Sequence, residues 1–249
     1  MDTGHTFPTG FMLKEKDTEP VPLEVELMRR VCRAPTCPGI IQLLDWFVGP
    51  SVVILVLERP LYCTDLQVYI KSKPGGLNES KARRIFRQVV EVMWHCQSRG
   101  VFHNDLKAEN ILIQRKSKQI KLIDFGCGFI LQDEAYKKLR GTVQNFPPEV
   151  FRKKCYKAVP ATSWSLGLLL FNMLCGEKPF VSKKEILQGI FQYKRFISRD
   201  CKILIEHCLS PSADRRPTLE EIFSHPWMKR KSLLAPVIFR KLQRFCEGA

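Results

Sequence analysis

The 249-residue chain predicts an α+β fold, with a small strand-bearing segment ahead of a larger, mainly helical one. Three observations carry this. Two strand-like runs, 40–47 and 52–58, are split by Gly49-Pro50-Ser51, the pattern of an antiparallel pair. Pro60 then ends the strand pattern, because proline has no N–H to donate to a sheet. Beyond it, apolar residues recur at helical spacing, so the boundary falls near 59–64.

In chain order, residues 1–20 are polar and irregular, with Gly4, Pro8, Gly10 and Pro20, and read as loop or frayed end. Leu23, Leu27 and Val31 predict a helix over 22–33. The strand pair follows. A short helix is expected over 65–71 and a long one over 78–98, capped by Asn78 and ended by Gly100. Ile85, Val89, Val92 and Met93 form its buried stripe. Strands over 111–114 and 119–123 flank a basic turn, and helices alternate with loops from Ala161 onward. The division is 1–20 irregular, 21–228 folded (21–59 and 60–228 as two parts), and 229–249 a basic tail.

Composition narrows the classes. With 45% hydrophobic residues, the chain can bury a sizeable core. The longest apolar runs, 52–57 and 166–170, are far shorter than the ~18 residues of a membrane span. The first residues lack a charged start and an apolar centre, so an intracellular, cytoplasmic and also nuclear location is expected. Ten cysteines are scattered without a CxxC pair, which reads as free thiols and gives no sign of zinc. Cys127 is singled out as a candidate reactive thiol. The net charge of +15 is spread along the chain and reads as a solvated face; no nucleic-acid motif accompanies it. In the tail, Val237, Phe239, Leu242 and Phe245 stand among Arg240, Lys241 and Arg244, which suits a helix packed on the larger segment or an anionic-surface binder.

The chemistry concentrates in His103-Asn104-Asp105-Leu106-Lys107-Ala108-Glu109-Asn110 and in Asp124-Phe125-Gly126. Phosphoryl transfer needs a group to orient the acceptor hydroxyl, cations to spread the phosphate charge, and hard oxygen ligands for Mg²⁺. Asp105 can accept a hydroxyl proton, Lys107 can meet the transferring phosphate, and Asn110 and Asp124 offer metal oxygens. Gly126 is expected to make the sharp turn after Asp124. Each piece alone is weak. The ordered set, continued by Gly141-Thr142 and Pro147-Pro148-Glu149, is specific.

With these motifs, and with LERP (57–60), WSLG (164–167) and RRPTLEEIFSHPWM (215–228), the chain resembles the eukaryotic protein kinases, most closely the PIM family of serine/threonine kinases. The resemblance implies a bilobal kinase fold, an ATP- and Mg²⁺-dependent activity of the non-specific serine/threonine type, protein substrates and a monomer. Residue by residue, it makes Asp105 the catalytic base, Lys107 the γ-phosphate contact, and Asn110 and Asp124 the Mg²⁺ ligands. Leu112 and Ile123 become the adenine floor, Glu58 a hinge residue, and Glu24 the helix glutamate that faces a strand lysine. Glu149 should pair with Arg216, while His103, Trp164 and Trp227 should be structural. Pro60 removes a hinge donor to adenine.

Three departures shape the expectation. Nothing matches the Gly-rich loop or the VAIK lysine, and only Lys14 and Lys16 lie near; the resemblance therefore implies a reduced small lobe. Asn104 replaces the arginine that commonly holds a phosphorylated activation loop, so phosphate control of 127–146 is not expected. Asp65 and Glu109 match acidic positions that favour basic peptides, but Val68 and Ala108 do not. Two readings follow: an active serine/threonine kinase, or a pseudokinase scaffold with little catalysis.

Overall fold

The computed structural model describes residues 21–49 and 52–229. The expectations for 1–20 and for the basic tail fall outside these residues.

Helix α1 (Leu23–Cys32) places Glu24 and Glu26 in its first turn, where carboxylates complement the helix dipole. Its buried face is Val25, Leu27, Met28 and Val31, so Leu23 lies off the stripe. Strands β1 (Leu43–Val48) and β2 (Val53–Leu57) pair antiparallel, as the sequence predicts. The first strand begins later than 40, because Ile40 and Ile41 have another partner. Ile40 bridges Leu122 in parallel, and the Ile41 N–H donates to the Leu122 carbonyl at 3.0 Å. These two fully buried isoleucines fasten the ribbon to the larger segment.

Strand β3 (Cys63–Asp65) is a feature that sequence periodicity misses, since three residues after a proline carry no pattern. The Asp65 carboxylate then caps α2 (Leu66–Lys71) by accepting the Val68 N–H at 2.8 Å. Helix α3 (Glu79–Ser98) is capped by Asn78 and buries the expected stripe, with Phe86, Val90 and Cys96 beside it. The two-residue strand β4 (Val101–Phe102) follows, and then β5 (Ile111–Gln114) and β6 (Ile120–Leu122). One sheet runs β3-β5-β6; β4 pairs with β7 (Phe129–Ile130).

The remainder is helical: α4 (Pro148–Lys153), α5 (Ala158–Cys175), α6 (Lys183–Gln188), α7 (Arg199–Cys208), α8 (Leu219–Ser224) and α9 (Pro226–Lys229). Helix α5 is longer than the apolar run 166–170 suggests. By length and composition it is the one helix among the described residues that could cross a membrane, with a mean hydropathy of 1.4. It is the central core helix of the larger segment, 72% buried. Trp164 and Trp227 are fully buried, Trp164 stacked on Phe180 and Trp227 edge-on to Phe86. Glu149 and Arg216 form a bidentate ion pair at 2.8 and 2.7 Å, and the guanidinium also lies over the Trp164 ring. The described cysteines are all free thiols.

Candidate active site

The loop between β4 and β5 is organised from below by His103. Its ring is buried and meets Phe125 edge-on. Nε2 bonds the Ile123 carbonyl at 3.1 Å, and Nδ1 accepts the Asp105 N–H at 3.3 Å. That pair of bonds needs a neutral imidazole, and burial pushes its pKa down, which favours that form. His103 is thus a structural post, as the sequence suggests.

Above it, Asp105 is buried but richly bonded. Oδ2 accepts from Lys107 Nζ at 2.6 Å and from Asn110 Nδ2 at 3.1 Å; Oδ1 accepts from the Thr142 N–H at 2.9 Å. Burial alone would raise this carboxyl, yet the Lys107 and Thr142 bonds outweigh it and hold the pKa below the usual aspartate value. A carboxylate offers about four lone-pair sites, so these three bonds leave room for an incoming hydroxyl. Lys107 also donates to the Thr142 hydroxyl at 2.8 Å, tying the 103–110 loop to the later segment. Gly141 makes this approach feasible. It has a φ of +100°, and a Cβ there would lie 3.0 Å from the Asn104 carbonyl and 3.3 Å from Asp105 Oδ1.

The two expected metal ligands are joined through the backbone. The Ile123 N–H donates to the Asn110 carbonyl at 2.9 Å, which sets Asp124 one residue further on. Asp124 itself, with φ +65°, makes the left-handed turn. This corrects the role expected of Gly126, which has no such φ. Gly126 lies close under two carboxylates: a Cβ there would sit a tight 3.3 Å from Asp124 Oδ1 and 3.4 Å from Glu24 Oε2. Asn110 spends its N–H₂ on Asp105 and so presents its amide oxygen. One amide oxygen and one exposed carboxylate fit Mg²⁺, which keeps water and phosphate ligands, better than a metal that demands a full protein cage. Among the described residues no cluster of three His, Cys, Asp or Glu could hold a metal.

Leu112 and Ile123 are half-buried on and just after the β5–β6 pair, while Ile111 and Ile113 are buried beneath. Glu58 is turned elsewhere. Its carboxylate takes the Lys121 ammonium and the Gln42 N–H (2.9 Å), and its own N–H donates to the Gln42 carbonyl (3.0 Å), bracing the ribbon against β6. Glu24 is half-buried beside Asp124. Burial, then the Asp124 charge, raise its pKa against one N–H bond from Phe125. It has no cation partner among the described residues; Lys14 and Lys16 lie outside them.

Asn104 does more than its sequence position signals. It adopts φ +64°, and its amide N–H₂ donates to the carbonyls of Cys127 and Arg140, both at 3.0 Å. One neutral side chain thereby ties the two ends of the segment 127–140 together without a phosphate. The Cys127 thiol has its pKa raised by burial and by the charges of Asp105 and Asp124, which disfavours the reactive thiolate. Of the two acidic positions, Asp65 is engaged in its cap, whereas Glu109 is exposed.

Residues 11–228 match the protein kinase domain. The chain is 41% identical over 222 residues to serine/threonine-protein kinase pim-2 of Danio rerio, covering 87% of this chain and 71% of that protein. It is 37% identical over 219 residues to serine/threonine-protein kinase prk-2 of Caenorhabditis elegans, covering 86% and 49%. It is 30% identical over 235 residues to sperm motility kinase Z of Mus musculus, covering 91% and 46%. The chain thus spans about half the length of the last two relatives.

Proposed function

Since the chain belongs to the protein kinase family, we propose that it is a PIM-like serine/threonine kinase that moves the ATP γ-phosphate to serine or threonine hydroxyls of proteins. The observation that carries this reading is the Asp105–Lys107–Thr142 triangle, with both Lys107 contacts at 2.8 Å or less. Asp105 stays ionised, so it can orient an acceptor hydroxyl and take its proton. Lys107 holds a positive charge where the transferring phosphate meets the acceptor. Asn110 and Asp124 would hold Mg²⁺, which neutralises charge on the phosphates of bound ATP. Leu112 and Ile123 offer apolar surface to the adenine. Thr142, in contact with Lys107, supports serine and threonine over tyrosine as acceptors. Basic residues ahead of the acceptor would meet Glu109. A monomer in the cytoplasm and nucleus completes the proposal.

One observation favours a second reading, a kinase-fold scaffold with little transfer. Glu24 has no lysine against it among the described residues, and no Gly-rich loop motif is present in the sequence. A phosphate-binding group of that kind is worth ~3–4 kcal/mol, or about 10² to 10³ in rate. The experiment is phosphate transfer from Mg-ATP to matched serine, threonine and tyrosine peptides. Transfer to serine and threonine that Asp105→Asn abolishes supports the kinase; folded protein that binds peptide and transfers nothing supports the scaffold.

A further inference from the structure

Cations from three parts of the chain meet around the turn between β5 and β6. Lys118, in the turn, lies over the Tyr69 ring of α2, 4.9 Å from its centroid, and Lys73, just past α2, lies over the same ring at 5.6 Å. Gln88 of α3 brings in the third. Its amide donates to the carbonyls of Lys118 (2.9 Å) and Arg84 (3.2 Å), and its oxygen accepts the Ile120 N–H at 3.3 Å. Arg84 is thereby held near the turn, where Arg115 and Lys116 are also exposed. None of these cations forms an ion pair among the described residues. The acids of α3 are engaged elsewhere: Glu79 with Ser198 and Trp227, and Glu91 beside Arg87.

An apolar pair borders this patch. The Arg115 N–H donates to the Tyr62 carbonyl at 3.1 Å, and Gln114 Nε2 donates to the Leu61 carbonyl at 3.5 Å. Leu61 is 68% exposed and Tyr62 76% exposed, so both stand in solvent next to the basic turn. We infer that this surface docks on an anionic bilayer. The unpaired ammonium and guanidinium groups meet acidic headgroups, each adding to the attraction. Leu61 enters the boundary between headgroups and acyl chains, and Tyr62 sits there with its ring in the apolar layer and its hydroxyl in water. An oligoglutamate or a nucleic acid would satisfy the cations but leave Leu61 without an apolar partner; a bilayer satisfies both. The surface uses none of Asp105, Lys107, Asn110 or Asp124, so docking is a property separate from phosphate transfer.

The test is co-sedimentation of the full chain with vesicles of phosphatidylcholine alone or with about 30% phosphatidylserine, at about 50 mM salt, where exposed charges are little screened. The mixed vesicles should bind at least about tenfold tighter, and raising the salt to about 0.5 M should remove that preference. The side chains of Leu61, Arg84, Arg115 and Lys116 make no hydrogen bond among the described residues, so their variants should keep the wild-type melting temperature. R84Q/R115Q/K116Q should weaken binding to the mixed vesicles about a hundredfold, at about fivefold per cation. L61S should weaken it about tenfold. The tail variant R240Q/K241Q/R244Q should leave most of the preference in place. Equal binding to both vesicles overturns the inference, as does a preference that survives R84Q/R115Q/K116Q and disappears in the tail variant. Binding of oligoglutamate or RNA as tight as that of the mixed vesicles, with L61S without effect, also overturns it in favour of a general polyanion surface.

Discussion

The 103–110 loop and the β1–β2 ribbon are opposites in how they are held. Asp105 is 5% exposed and bonded on both carboxylate oxygens, while Leu44 on the ribbon is 64% exposed. The ribbon meets the rest through Ile40 and Ile41 on Leu122, Glu58 on Lys121, and Leu43 and Leu55 packed against the core. Asp105, Lys107, Asn110 and Asp124, the residues proposed as base, phosphate contact and metal ligands, all sit in the larger segment. The upper region contributes Glu24, whose carboxylate faces another carboxylate. The difference teaches that, among the described residues, the bonds that order the 103–110 loop lie within the larger segment and do not depend on the ribbon.

The largest structural effect that can break this contrast is at the brace of the larger segment. Arg216 is fully buried, and Arg216→Ala would strand the Glu149 carboxylate and empty the space over Trp164. Breaking a buried pair in this way costs about 3–5 kcal/mol, so a thermal melt should fall by about 10 °C. A loss below about 1 kcal/mol would show that the larger segment is not the rigid partner.

Glu79 tests the same region by pH. Its carboxylate accepts from the Ser198 N–H and hydroxyl and from Trp227 Nε1, with Arg83 nearby. Burial opposes these bonds, yet they leave its pKa below the usual 4.5. A folded-state pKa below the unfolded value gives stability that is present above about pH 4.5 and lost as pH falls through the folded value. The melting temperature should therefore drop more steeply with acid in the wild type than in Glu79→Gln. Parallel slopes would remove Glu79 from the account.

Asn104→Ala removes the two bonds to Cys127 and Arg140 and none of the side-chain bonds of Asp105 or Asn110. Amide exchange over 127–140 should quicken about tenfold or more, since two net hydrogen bonds are worth ~2 kcal/mol. Unchanged exchange would mean that the β4–β7 pairing and the Tyr136–Tyr156 bridge hold the segment by themselves.

Much of this was legible in the sequence because the signals were local or ordered. Asn78 caps the helix that follows it, and the spacing from Asp105 to Asp124 marks one site. The strands β3, β4 and β7 were not legible: at two or three residues they carry no period, and their partners are distant in sequence. Asn104 read as a lost charge, and only the fold reveals that its amide spans two segments. Glu58 read as a hinge residue, while its partner Lys121 lies 63 positions away. The turn at Asp124 was assigned to Gly126, two residues on, because glycine is the residue expected where the backbone turns left-handed, whereas Asp124 itself takes the positive φ.

The most direct test sets the two regions side by side in one measurement, single-turnover transfer from Mg-ATP by wild type, Asp105→Asn and Glu24→Gln. Loss of the base should cost about 10² to 10⁴ in rate. Loss of the Glu24 charge, which has no cation to hold among the described residues, should change the rate by less than about threefold. A wild type that transfers nothing, or a Glu24→Gln variant as damaged as Asp105→Asn, would contradict the claim that the larger segment carries the chemistry.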